Sequence, residues 1–325
     1  MNGLETQSCV DGSTRIQGLL MALAPYASIN GTVVPWDEAR IHAFSPAAKY
    51  GIGVFEGVRA YWSAERKCLL LFRLGDHLNR LAYSQRAVRF DPTPANADIE
   101  RWTVDLLRVC GFRESTHIRI MCYLDGQGDM AVSGPISVAI TALARPVPPA
   151  VAQGVQVQVS SWVRIADRAM PARIKANANY HNSRLAHMQA LADGYHNALI
   201  LNDRGNLAEA PTATPFIVRN GVVITPSLSD DVLESITRDT IIRLAADHLG
   251  VPTEERVVNR SELYAADEAF ICGTGAEVTP VLGIDRMPVG KGAIGPMVKA
   301  LQDAYFNLVH GRLNYRGHWL REVEL

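Results

Sequence analysis

Apolar and polar positions along this chain change period repeatedly, and the changes mark out its elements. Val155-Gln156-Val157-Gln158-Val159-Ser160 alternates with period two, the pattern of a half-buried strand. Ser28 to Val34 carries Asn30-Gly31 between apolar positions, a hairpin signal. Asn220-Gly221 between Phe216–Arg219 and Val222–Thr225 predicts a second hairpin. A third joins Ala198–Leu201 to Leu207–Glu209 through Asn202-Asp203-Arg204-Gly205. Gly53–Trp62, Leu69–Phe72, Thr116–Tyr123, Ile136–Leu143, Glu268–Cys272 and Val278–Val281 read as further strands. Helical spacing covers Asp76–Arg89, with Leu78, Leu81 and Ala82 on one side, and Ala97–Val109, stopped by Gly111. It returns over Asn182–Asp193, with Leu185, Met188 and Leu191 expected inward and Gly194 as the stop. Another helix runs from Thr237 to Leu249, with Ser235 or Ile236 at its mouth, and a last one opens at Pro296 and closes at Gly311.

Arg145-Pro146-Val147-Pro148-Pro149 breaks this regularity and is the clearest linker. It predicts a small α/β domain over 27–145, a linker over 146–154 and a large domain over 155–325. Hairpins and helices in both halves imply α+β architecture. Residues 1–26 read as an extension. Ile16–Ala24 is apolar, but Gln17 and Gly18 interrupt it and Glu5 and Asp11 precede it, so a helix packed on the body is expected rather than a signal peptide. No stretch is long enough to span a bilayer.

The chain has 325 residues, 48% of them hydrophobic, and a formal net charge of −1, so no basic footprint points to nucleic acid. Its five cysteines form no CxxC pair, which suits reduced thiols and a cytoplasmic location. His181, His187 and His196 lack metal-ligand spacing, and no metal is expected. Gly51, Gly53 and Gly57 fall one residue off a dinucleotide fingerprint, with no strand before them or helix after them.

Candidate chemistry centres on Lys175, in Arg173-Ile174-Lys175-Ala176-Asn177-Ala178-Asn179-Tyr180. Most lysines are solvated surface charges. A catalytic one must spend time as the neutral amine, which burial or cationic neighbours favour. Ala176 and Ala178 are small enough to let a ligand approach the backbone, and the segment has neither helical nor strand periodicity.

Several motifs share one order along the chain. Before the linker they are Tyr50 with Gly53-Val54-Phe55-Glu56-Gly57-Val58-Arg59, His77-Leu78-Asn79-Arg80-Leu81 and Ile118-Arg119. After it come Lys175 with Asn179-Tyr180, Glu209, Ile236-Thr237-Arg238-Asp239 and Gly273-Thr274-Gly275-Ala276-Glu277. Together they make the chain, from about Ile29 to its C-terminus, resemble the branched-chain aminotransferase family. These are pyridoxal-phosphate enzymes of the two-domain D-amino-acid-aminotransferase-like fold (fold type IV).

The resemblance implies that Lys175 is the Schiff-base lysine and proton shuttle, Glu209 the partner of the pyridine nitrogen, and Tyr180 the donor to the cofactor's phenolic oxygen. It implies phosphate binding by Arg80, by the helix start at Ile236 and Thr237, and by Thr274. Tyr50, Phe55, Arg59, His117 and Arg119 match substrate-pocket positions, with Arg119 for the distal carboxylate of glutamate, and Gly275 and Ala276 offer N–H groups to the substrate carboxylate. The implied reaction is ping-pong amino transfer from Leu, Ile or Val to 2-oxoglutarate, in a homodimer whose site is partly completed by the other subunit. Two departures stand out. His117 replaces the family's usual tyrosine, which would bring pH sensitivity, and Thr214-Pro215 replaces an Asn-containing stretch. D-amino-acid transfer, (R)-amine transfer, aminodeoxychorismate lysis and a non-catalytic binding role on the same scaffold are the competing readings.

Overall fold

The computed structural model describes residues 24–325; Cys9 and the helix expected over Ile16–Ala24 lie outside the described residues. The first half supplies β1 (Tyr26–Ile29), β2 (Thr32–Pro35), α1 (Pro46–Tyr50), β3 (Gly53–Ser63), β4 (Cys68–Phe72), α2 (Leu74–Ala87), α3 (Asn96–Cys110), β5 (Thr116–Leu124) and β6 (Ile136–Ala144). After the proline-rich segment come α4 (Ala150–Gln153), β7 (Val155–Val159), α5 (Asn179–Ala192), β8 (Asn197–Leu201), β9 (Leu207–Glu209), β10 (Thr214–Arg219) and β11 (Val222–Thr225). The chain ends with α6 (Ile236–Arg243), β12 (Thr253–Glu255), α7 (Arg260–Leu263), β13 (Glu268–Gly273), β14 (Glu277–Ile284), β15 (Met287–Pro288), α8 (Pro296–Val309) and β16 (Leu320–Glu324).

Two sheets result. The first is antiparallel, in the order β16-β4-β3-β5-β6-β1-β2, and the second has nine strands, in the order β12-β11-β10-β13-β14-β7-β8-β9 with β15 on β14. The C-terminal strand therefore returns to the first sheet, pairing Leu320 with Phe72 and Glu324 with Cys68. No preference in its own five residues, with two glutamates and an arginine among them, announces that strand.

Strand β4 is buried on both faces, as its unbroken apolar run Cys-Leu-Leu-Leu-Phe requires. Leu69 and Leu71 join the core under α2 and α3, while Cys68, Leu70 and Phe72 join a second core with α6, α8, Phe216 and Phe270. This second core spans both sheets and locks their relative position. Burial of its large side chains, each worth roughly 1.5–3 kcal/mol, makes the two halves one packed unit.

One expectation is reversed. In α5 the buried face is Asn179, Ser183, Ala186 and Ala190, whereas Leu185, Met188 and Leu191 are exposed. The small residues let the helix lie close on Ala198 and Ile200 of β8, so close packing rather than side-chain size selects the inward face.

Gly154 ends α4 with φ 72° and ψ 173°, a conformation essentially reserved for glycine. A Cβ there would stand 2.5 Å from Leu282 Cγ. Gly154→Ala is expected to lower unfolding stability by about 1–3 kcal/mol from backbone strain alone. Urea denaturation followed by fluorescence checks this, with Gly205→Ala, whose Cβ meets open space, as a control for positive φ without a clash.

Candidate active site

Strands β7 and β8 are parallel neighbours, so the chain between them must cross over. That crossover carries Lys175. Its segment is clasped by β3: Phe55 N donates to Lys175 O at 3.0 Å, Asn177 N donates to Gly53 O at 2.9 Å, and Val54 bridges Ala176. Asn179 Nδ2 donates to the Pro171 and Ile174 carbonyls, both at 3.1 Å, closing the loop from within. Lys175 Nζ donates to Tyr180 Oη at 2.7 Å and lies 5.0 Å from the Phe55 ring centre. Phe55 meets the Tyr180 ring edge-on at 4.8 Å.

The amine opens into a cavity of about 550 Å³ between the two sheets. Such a volume is typical of a small-molecule site. Lys175, Tyr180, Glu209, Arg80, Ile236, Thr274, Gly275, Ala276, Phe55, His117 and Arg119 all line it.

At one end Glu209, on the short β9, is buried. Its Oε1 accepts the Leu233 N–H at 2.7 Å and its Oε2 pairs with Arg164 at 2.8 Å. Arg164 is 6% exposed, and its Nη1 has no partner. Together the two contacts fix where the carboxylate points. The sequence reading misses Arg164, because nothing in Trp162-Val163-Arg164 sets it apart from a surface charge.

The opposite end is built on Glu56. This carboxylate is fully buried in β3 and accepts Arg80 Nε and Nη2 and faces His77 Nδ1, each at 2.7 Å. Burial alone would raise the Glu56 carboxyl, but the Arg80 charge, the Arg80 and His77 hydrogen bonds and the His77 interaction outweigh it and bring it down to about 2. Burial holds His77 below the usual imidazole range, so the neutral ring donates its Nδ1 proton to Glu56. Arg80 Nη1 also donates to the Glu234 carbonyl at 2.6 Å. Of the five guanidinium N–H groups, three are thereby engaged and two remain for an anion. Glu56 is legible in hindsight: an acid between Val54 and Val58 on a buried strand face demands a cation.

Helix α6 begins beside Arg80. Ser235 caps it by accepting the Arg238 N–H at 3.2 Å, and Ser235 and Ile236 line the cavity. Arg73 sets this juxtaposition, pairing with Asp76 and Asp239 at 2.6 Å each and donating to Ile236 O at 3.2 Å. Thr237, expected here, is buried and is not part of the cavity wall.

The third region is the turn Gly273–Ala276 between β13 and β14, facing His117 and Arg119 of β5. Arg119 stacks on Phe55, its Cζ 3.8 Å from the ring centre. The pH sensitivity expected of His117 does not follow from its surroundings. Burial, with Arg145, Arg59, Arg119 and His77 adding to it, pulls its imidazole down to about 3, so it is neutral near pH 7. Two expected substrate residues sit elsewhere. Arg59 pairs with buried Glu277 at 3.1 Å and donates to the Arg145 and Pro146 carbonyls at 2.5 and 3.0 Å, tying β3 to the proline-rich segment after β6. Tyr50, at the end of α1, is 43% exposed and lies outside this chain's own cavity wall. Thr214, in place of the family's asparagine, does line the cavity, at 2% exposure. Among the described residues no cluster of His, Cys, Asp and Glu can hold a metal.

This donor set fits a pyridoxal phosphate. An amine, a carboxylate oriented to accept a ring N–H, and a cation with two free N–H groups beside a helix start all face one cavity.

The sequence matches the family described as "Amino-transferase class IV" over residues 53–284. It is 37% identical to the probable branched-chain-amino-acid aminotransferase of Aquifex aeolicus over 92% of this chain and 96% of that one. To the branched-chain-amino-acid aminotransferase of Escherichia coli K12 it is 35% identical, over 92% and 98%. The structure of the branched-chain amino acid aminotransferase of Thermobaculum terrenum in its PLP-form superposes with a TM-score of 0.86 at 39% identity, covering 93% of this chain and 99% of that one.

Two outcomes are expected. Glu56→Gln leaves buried Arg80 without its counter-charge and should cost about 3–5 kcal/mol at pH 7. Because folding lowers the Glu56 pKa, its contribution is full above about pH 4.5 and is lost as pH falls toward 2. The stability difference between wild type and variant should therefore shrink over that window in urea titrations. Separately, the His117 imidazole carbon shifts in a 13C-histidine-labelled sample should stay at neutral-form values from pH 8 down to pH 4.

Proposed function

The chain belongs to the class IV aminotransferase family, and on that premise we propose that it moves the amino group of a branched-chain L-amino acid to 2-oxoglutarate with pyridoxal 5'-phosphate as cofactor. One observation carries this reading: Lys175 Nζ, held at 2.7 Å by Tyr180, opens into a cavity whose wall also presents Glu209 and Arg80. When bound, the cofactor supplies an aldehyde for the substrate amine and a protonated ring that draws electrons from the Cα–H bond.

The chain's residues do the rest. Lys175, as a free amine, would take the substrate's Cα proton and deliver it to the cofactor carbon that receives the amino group, a role its flexible stem suits. Tyr180 steadies Nζ between transfers. Glu209, oriented by Arg164 and the Leu233 N–H, accepts the ring N–H. Arg80 and the start of α6 hold the phosphate with fixed donors that need no rearrangement during reaction. Phe55 gives the side-chain pocket an apolar wall that also accepts the methylenes of a dicarboxylate, and Arg119 stacked on it meets the distal charge. The N–H groups of Gly275 and Ala276 take the α-carboxylate.

A homodimer is part of the proposal. Leu185, Met188 and Leu191 form one exposed apolar stripe on α5. Exposed Trp162 and Val163 adjoin it, since Asn182 Nδ2 donates to Val163 O at 2.8 Å. A second copy covers this surface, and Tyr50, unused by its own cavity, is offered to the neighbour's. The cysteine pattern, with Cys68, Cys110, Cys122 and Cys272 all free, supports a cytoplasmic setting.

A donor panel of L-leucine, D-alanine and (R)-1-phenylethylamine with 2-oxoglutarate tests the reaction. L-leucine should be the best donor; preference for either of the others refutes the branched-chain reading. Lys175→Ala should lower turnover by at least about 10²–10⁴-fold, the range of a positioned general base. Leu185→Glu combined with Met188→Glu should shift sedimentation from dimer toward monomer.

A further inference from the structure

Arg145 is the one cation of the cavity wall that neither the motifs nor the reaction as derived employs. It closes β6 and opens the proline-rich segment. Its backbone is pinned on both sides: its N–H donates to Ser115 O at 2.8 Å, and its carbonyl accepts Arg59 Nη2 at 2.5 Å. Its side chain turns toward the turn between β13 and β14. Both terminal nitrogens stand 3.5 Å from where a Cβ on Gly275 would be, so the guanidinium rests on the space that glycine leaves open. Among the described residues it has no ion pair and no side-chain hydrogen bond. The acid that acts on it, Glu277, is paired with Arg59 at 3.1 Å. A guanidinium turned into a cavity, with five N–H donors and no acceptor among the described residues, is suited to bind an anion.

We propose that Arg145 binds the α-carboxylate of both the amino acid and the oxo acid, supplying the charge that the N–H groups of Gly275 and Ala276 cannot. This rests on the assignment of that turn made above. The alternative, that Arg145 takes the distal carboxylate of 2-oxoglutarate, is disfavoured by position. Arg145 lies against Gly275, whose N–H is the one assigned above to the α-carboxylate. His117, neutral and beside both arginines, offers one N–H and no charge, so the positive charge nearest Gly275 is that of Arg145. The site would then select strongly for substrates bearing a carboxylate next to the amine.

The test uses the holoenzyme, with Arg145→Gln and Arg145→Lys. For Arg145→Gln, KM for L-leucine and for 2-oxoglutarate should both rise about 10–100-fold, the scale of one lost charge-assisted hydrogen-bond pair, with kcat changed by less than about 5-fold. Calorimetric titration with 4-methylvalerate, a carboxylate of leucine's shape without the amine, should weaken by the same factor. Arg145→Lys, which retains the charge but not the fork, should fall in between and carries the test if the glutamine variant does not fold. A rise confined to 2-oxoglutarate, or unchanged KM values with unchanged 4-methylvalerate affinity, overturns the role of Arg145 alone. Wild-type holoenzyme that binds no 4-methylvalerate overturns the carboxylate turn as well.

Discussion

Two main-chain hydrogen bonds between β3 and the lysine segment, at 3.0 and 2.9 Å, set the geometry on which the site depends. They fix Lys175 to a strand whose faces do different work. Val54 and Val58 enter the core under α2 and α3, with Glu56 on the same face holding Arg80. Phe55, Gly57, Arg59 and Tyr61 take the other face, passing from the cavity to the clasp on the proline-rich segment and then to the core shared by both sheets. With side chains alternating at period two, a slip of one residue would send Phe55 into the core and Glu56 into the cavity. Register in β3 therefore decides both the wall beside the amine and the anchor of Arg80.

The charges of the cavity fall into two groups. Arg80 and Arg164 are each locked to a buried carboxylate, Glu56 and Glu209. Burying such charges costs free energy unless partners are supplied, and the partners also remove rotational freedom. These tied groups suit a resident ligand that stays in place. Among the described residues Arg119 and Arg145 carry no carboxylate partner, and both line the cavity. Burial, with these cations adding to it, keeps His117 neutral. An imidazole that cannot easily charge among arginines remains a hydrogen-bond donor and adds no repulsion.

Helix α5 shows how burial can contradict side-chain size. Its small residues lie against β8 because Lys175 and Tyr180, just before and within its first turn, must stand close to the sheet. The larger Leu185, Met188 and Leu191 are thereby turned outward. A helix anchored by the site at one end cannot also choose its most apolar face for the interior of its own chain.

Periodicity and turn chemistry by themselves determined most strands and helices, because alternation, Asn-Gly turns and terminal glycines act within a few residues. The order of Lys175, Tyr180, Glu209, Arg80 and Thr274 likewise identified groups that the structure brings to one cavity. Tertiary structure alone decided the return of β16 to the first sheet, the inward face of α5, and the placement of Arg59 and Tyr50 outside the cavity wall. It also decided which arginines of the cavity wall are tied to Glu56 and Glu209. The reason is that such pairings join residues from distant parts of the chain, such as Arg164 with Glu209 or Arg145 with Gly275. No local pattern encodes a partner that only the packed sheets bring within reach.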